Sequence, residues 1–176
     1  MAFVQVLPRR LASWITAEPD WDAVYAEQLP RVLNFFRYRL PHAADAEDLT
    51  ARTFEKAWRA RHRYRRDLAG FSTWLLTIAR HVAIDYLRAR QRYEPIDAAA
   101  AVASPGRTPE QRAVHSSDAD RLAGLLATLE PRQRELIAMK YGADMTNRAI
   151  AQATGLSETN VGTILHRAVE TLRGRW

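Results

Sequence analysis

Apolar side chains recur along this chain at intervals of three and four residues and almost nowhere alternate, a pattern that predicts helices and no strands. Trp21, Val24, Tyr25, Leu29, Val32, Leu33, Phe36 and Leu40 fall on one stripe. Asp20 is placed to cap that helix, Pro30 to kink or divide it, and Pro41 to end it. A second helix opens at Asp45, Glu47 and Asp48, acids set where the positive end of the helix dipole favours them, and buries Leu49, Phe54, Ala57 and Trp58. The third is predicted over residues 72–92, with Phe71, Trp74, Leu75, Ile78 and Val82 inward and Thr77, Arg80, His81, Asp85, Arg88 and Arg92 outward.

The pattern then breaks. Residues 94–117 are rich in Ala, Ser and Pro, carry few large apolar side chains and show no stripe, which reads as a linker. Beyond it Leu122, Leu125, Leu126 and Leu129 make one helix; Pro131 starts another through Leu136, Ile137 and Tyr141, and Gly142 stops it. Residues 145–173 have the spacing of a helix-turn-helix. Thr146 can cap a short helix carrying Ile150 and Ala151, Gly155 supplies the left-handed turn, Leu156 fills the corner, and Ser157 caps a longer helix. Val161, Leu165, Ala168 and Leu172 form that helix's inner stripe. Its outer face, with Thr159, Asn160, Thr163, His166 and Arg167, suits the DNA major groove, which admits a helix. An ordinary helical hairpin fits the spacing equally well. No internal repeat is present, and the boundaries expected are an N-terminal extension 1–19, a helical domain 20–92, a linker 93–118 and a second helical domain 119–176.

Charge narrows the choice of partner. Of 176 residues, 26 are Lys or Arg against 20 Asp or Glu, a formal net charge of +6, which favours a polyanion, either nucleic acid or an anionic membrane surface. No apolar run approaches the roughly 20 residues needed to span a bilayer, so membrane insertion is not expected. The absence of cysteine excludes disulfides, thiolate zinc sites and cysteine nucleophiles. With no secretory signal pattern at the start, the chain is expected in the cytoplasm.

Arg59, Arg61, His62, Arg63, Tyr64, Arg65 and Arg66 crowd between the second and third helices. Such a loop can neutralise phosphates while Tyr64 or Phe71 offers a face to an unstacked base. The plainer reading is a solvated charged loop with Phe71 and Trp74 in the core. Asp45, Glu47 and Asp48 could hold Mg²⁺ in a nuclease or recombinase, but a helix N-terminus explains them more simply. The histidines lack ligand spacing, and no nucleophile, phosphate-loop or zinc-protease motif is present, so neither a cofactor nor an enzyme activity is expected.

Residues 45–60 (DAEDLTARTFEKAWRA) and 71–90 (FSTWLLTIARHVAIDYLRAR) resemble region two of bacterial sigma factors of the extracytoplasmic-function group; residues 125–173 resemble their region four. Two motifs in the right order, with a linker between, make the likeness specific. It implies an all-α fold of two small helical domains joined by a flexible linker, and a factor that directs core RNA polymerase to promoters. The partners it implies are the β′ clamp helices and β flap of that enzyme, promoter DNA, and an anti-sigma protein. Carried onto this chain, Asp45, Glu47, Asp48, Thr53 and Lys56 would face polymerase. Arg61, Arg63, Tyr64, Arg65, Arg66, Thr77, Arg80, His81, Asp85 and Arg88 would face the −10 element, where one base is flipped. Glu158, Thr159, Asn160, Thr163, His166 and Arg167 would meet the −35 duplex, and the linker would run toward the RNA exit path. His81 stands where many relatives have Asn, and Gly162 and Ile164 where Lys and Arg are common. Residues 1–19, with Leu7, Leu11, Trp14 and Ile15, have no counterpart in the minimal pattern. A regulator that binds duplex DNA without polymerase is the alternative.

Overall fold

The computed structural model describes residues 21–41, 44–93 and 116–176. The expected cap at Asp20, the N-terminal extension and residues 94–115 of the linker lie outside the described residues. Seven α-helices are seen in this part, with no strand among the described residues. Helices α1 (Trp21–Arg39), α2 (Asp45–Arg59) and α3 (Phe71–Tyr93) form the first block. Helices α4 (Ser116–Ala127), α5 (Pro131–Ile137), α6 (Asn147–Thr154) and α7 (Glu158–Arg173) form the second.

Local signals set most of these boundaries. Thr146 accepts a hydrogen bond from the Ala149 amide at 3.1 Å, Ser157 one from the Asn160 amide at 3.2 Å, and Gly155 takes φ 76° between them. Each cap satisfies a donor that the first turn would otherwise leave unpaired. Pro131 opens α5, where Glu130 and Gln133 exchange side-chain and backbone bonds in a capping box. Of the two effects expected of Pro30, division does not occur, because α1 runs through it from Trp21 to Arg39. After α5 the chain widens into a π-helical turn, Ala138–Gly142, in place of a simple stop.

In the first block Val32, Phe35, Phe36, Leu49, Ala57, Leu75, Leu76 and Ala79 are buried; in the second, Leu126, Leu136, Ile137, Met139, Ile150, Val161, Leu165 and Ala168. Two side chains invert their expected placement. Thr53 is fully buried, donating its hydroxyl to the Leu49 carbonyl at 2.7 Å, and Trp58 is 47% exposed. The inward face of α2 is therefore Ala46, Leu49, Thr50, Thr53, Phe54 and Ala57, in which small and hydroxyl side chains flank the two large apolar ones. Tyr141, in the turn that follows α5, is 57% exposed.

The blocks do not hang apart. Helix α1 lies along the 138–142 turn and α5, and α3 packs on α6, so their buried side chains merge into one cluster. A built Cβ on Gly142 would sit 2.9 Å from the Asn34 carbonyl oxygen and 3.2 Å from the Phe35 nitrogen. Only glycine permits that approach of backbone to backbone. The two helical domains expected from the sequence are thus also in contact in this state of the chain.

Candidate nucleic-acid interface

The turn after α2 winds as a short 3-10 helix over Arg61–Arg63 and leaves the arginine-rich loop at one end of the first block. His62, Arg63, Arg65 and Arg66 are exposed. Arg65 pairs with Asp67 at 2.8 Å in the open, and Arg59 with Glu55, so neither is locked beneath the surface. The Arg61 guanidinium lies 4.2 Å above the Trp58 ring and donates to the Trp58 carbonyl at 3.0 Å.

Beneath this loop the aromatic rings form a continuous stack of edges and faces. Tyr64 meets Phe71 at 5.3 Å and Trp74 at 5.2 Å, and Trp21 meets Phe71 at 5.7 Å and Trp58 at 5.1 Å. Tyr64 and Phe71 are therefore half-buried structural rings, whereas Trp58 is the exposed aromatic beside the loop, and Tyr25, 4.7 Å from Phe54, is exposed on α1. Sequence reasoning missed these two because both lie on apolar stripes that predict burial. Burial pushes the Tyr64 phenol above its ordinary range, against the opposing charge of Arg66, so it stays a neutral hydrogen-bonding group near neutral pH.

Along α3 the expected outward set divides. His81, Asp85 and Arg88 are exposed, with Asp85 3.8 Å from Lys56. Thr77 is half-buried and bonded to the Thr73 carbonyl at 2.7 Å. Arg80 faces the second block, where its Nε meets Glu135 at 2.9 Å with 17% of the side chain exposed. In this state Arg80 is not at the surface with the others.

On α2, Glu47, Asp48 and Lys56 are exposed, whereas Thr53, expected outward, faces the core. Asp45 accepts from the Tyr86 hydroxyl and lies 3.8 Å from Arg90; Asp48 pairs with Arg52 at 2.9 Å. Tyr86 is held above its ordinary pKa first by burial and then by its bond to Asp45. Among the described residues no three acidic, His or Cys side chains converge to hold a metal ion.

The second block presents Glu158, Thr159, Asn160, Thr163, His166 and Arg167 together on the exposed face of α7, opposite buried Val161, Leu165 and Ala168. Gly162 has open space, since the nearest atom to a built Cβ is Asn147 Nδ2 at 3.8 Å.

A seam of polar contacts that sequence reasoning did not anticipate fastens the blocks. Arg31 donates to the Ala143 carbonyl at 2.9 Å, the Asp144 carbonyl at 3.0 Å and Ser72 Oγ at 3.1 Å. Arg134 donates to the Tyr38 carbonyl at 2.9 Å and to the Leu40 carbonyl, the open acceptors at the C-terminal end of α1 where the helix dipole favours a cation. Glu135 takes both Arg80 and, at 2.7 Å, Arg132. Gln152 reaches the Leu68 carbonyl of the basic loop.

Comparison with known proteins accords with this geometry. Residues 24–93 match the Sigma-70 region 2 model and residues 119–172 the Sigma-70 region 4 model. The ECF RNA polymerase sigma factor RpoE of Cereibacter sphaeroides is 30% identical over 86% of this chain and 86% of its own length. The RNA polymerase sigma factor CarQ of Myxococcus xanthus is 32% identical over 89% of each. The fold is similar to that of the sigma factor RpoE from Bartonella quintana, solved in complex with the anti-sigma factor NepR, at TM-score 0.73 and 23% identity over 88% of this chain and 95% of that one. With both regions in order and a relative at that identity spanning nearly the whole length, the chain belongs to the sigma-70 family, as an RNA polymerase sigma factor of the ECF type.

Proposed function

We propose that the first block docks on the β′ clamp helices of core RNA polymerase through α2 and engages the −10 element, while the second contacts the β flap and reads the −35 duplex through α7. What carries this reading is that two exposed faces of different character occur on one chain: a basic loop beside exposed Trp58, and a capped helix with six polar side chains outward. The first suits a melted strand, because aromatic stacking and phosphate neutralisation tolerate an unpaired base. The second suits an intact major groove. Flipping a base costs a few kcal/mol, which polymerase docking and phosphate contacts offset. The chain itself catalyses no covalent step in this reading and works in the cytoplasm, where the polymerase is. An anti-sigma protein is the partner that would restrain it.

The docking face of α2 comprises Asp45, Glu47, Asp48 and Lys56 without Thr53. The −10 face comprises Arg61, Arg63, Arg65, Arg66, His81, Asp85 and Arg88 directly, with Tyr64 and Thr77 supporting from below and Arg80 joining once it leaves Glu135. Transcription by core polymerase from a promoter library, with and without this chain, is the test. Enrichment of templates sharing two elements about 25 base pairs apart is the expected result; no gain on any template would overturn it.

A further inference from the structure

We propose that the seam around Gly142 and Glu135 is a latch that holds the chain closed and withholds Arg80, with Glu135 occupying the guanidinium in place of a DNA phosphate. The inference rests on the reading of Arg80 as a promoter-facing residue.

Four observations support it. The closed state engages a residue of the promoter-facing set with a carboxylate, and a carboxylate and a phosphate compete for the same guanidinium geometry. Arginine outnumbers its counter-ions in the seam. Arg39, Arg80, Arg132 and Arg134 gather about one acid, Glu135; Arg39 Nε is buried without a hydrogen-bond partner, and burial pushes the Arg39 pKa down. Such an excess of positive charge is relieved when a polyanion arrives. The polar fastenings are largely hydrogen bonds to backbone carbonyls, which water can satisfy after the blocks part, so that opening costs chiefly the exposure of the apolar side chains shared with the 138–142 turn. Finally, Arg31 holds the carbonyl of Asp144, whose φ of 51° is unusual for a residue other than glycine, so the turn leading into the helix-turn-helix is braced by the first block.

Gly142 provides the handle. The three atoms nearest its built Cβ all belong to Asn34 and Phe35 of the first block, so Gly142→Ala wedges the seam without striking its own block through those contacts. The chain has no cysteine, so Arg37→Cys with Gly174→Cys, both at exposed positions, accepts a fluorescent donor and acceptor at chosen sites. In the free chain Gly142→Ala should lower energy transfer. In transcription at limiting sigma concentration it should raise output several-fold at a promoter the unaltered chain already uses. Glu135→Gln should change both in the same direction, and is the deciding variant if Gly142→Ala gives a chain without the normal circular dichroism. Unchanged transfer in the folded variants overturns the latch; so does lowered transfer with equal or smaller output. Absence of transcription by every form, unaltered chain included, would instead strike the functional reading, while the energy transfer still decides whether the seam holds the blocks together.

Discussion

Arg134 and Glu135 are neighbours in the chain, yet one closes the end of α1 through carbonyls and the other gathers two guanidinium groups. Both are buried, and a buried charge persists only when its partners are in place. A different pair is testable by titration. Because Asp45 helps hold the Tyr86 phenol above its usual value of 10.0, Asp45→Asn should let Tyr86 ionise at lower pH. A raised tyrosine pKa in the folded state contributes stability that is full below the unfolded value and is lost as pH rises through the folded one. The variant should therefore lose less stability than the unaltered chain on going to strongly alkaline pH; difference absorbance of phenolate and denaturant midpoints against pH would show it. At the loop, changing Arg63, Arg65 and Arg66 together to Ala should flatten the logarithmic salt dependence of promoter binding by about 2 units, since each phosphate contact contributes roughly 0.7 to 0.9. An unchanged slope would mean that these side chains meet no phosphate.

At the scale of the element, the helix-turn-helix was legible because its signals are local. Thr146, Gly155 and Ser157 each act within four residues of themselves, and the stripe Val161, Leu165, Ala168 follows from helical period alone. Ser157→Ala should lower stability by about 1 kcal/mol through loss of the cap and weaken −35 duplex binding, measured by thermal unfolding and fluorescence anisotropy. Gly162→Ala should do the reverse for stability, by about 1 kcal/mol, since the site has open space and the backbone is helical. Helix α2 was harder. Leu49, Phe54 and Ala57 are buried as expected, but Thr53 returns its hydroxyl to the Leu49 carbonyl and enters the core, and Trp58 stands outward beneath Arg61. Hydropathy ranks Trp above Thr for burial and cannot register that bond. Pro30 was ambiguous, since a proline in an otherwise regular stripe cannot by itself say whether the helix is divided.

The whole molecule depends on contacts between residues far apart in the chain, and these left little trace in any local pattern. Gly142 reads as a helix stop, and the helical turn does end there, but it is also a backbone contact with Asn34, more than a hundred positions away. Arg80 reads as an outer-face cation but meets Glu135, because α3 has a second neighbour that periodicity within the first block does not reveal. The closed form also sets a length problem. A compact body the size of the two packed blocks has a radius of gyration of about 14 Å, hence a width near 36 Å. Two promoter elements some 25 base pairs apart lie roughly 85 Å apart along straight duplex at about 3.4 Å per pair. On the proposed reading one closed body cannot touch both, so that reading requires the blocks to separate on the promoter. The direct measurement is energy transfer between labels at Arg37→Cys and Gly174→Cys, first in the free chain and then in the complex with core polymerase and promoter DNA. The account predicts high transfer when free and a fall to near zero in the complex; equal high transfer in both, with transcription intact, would contradict it.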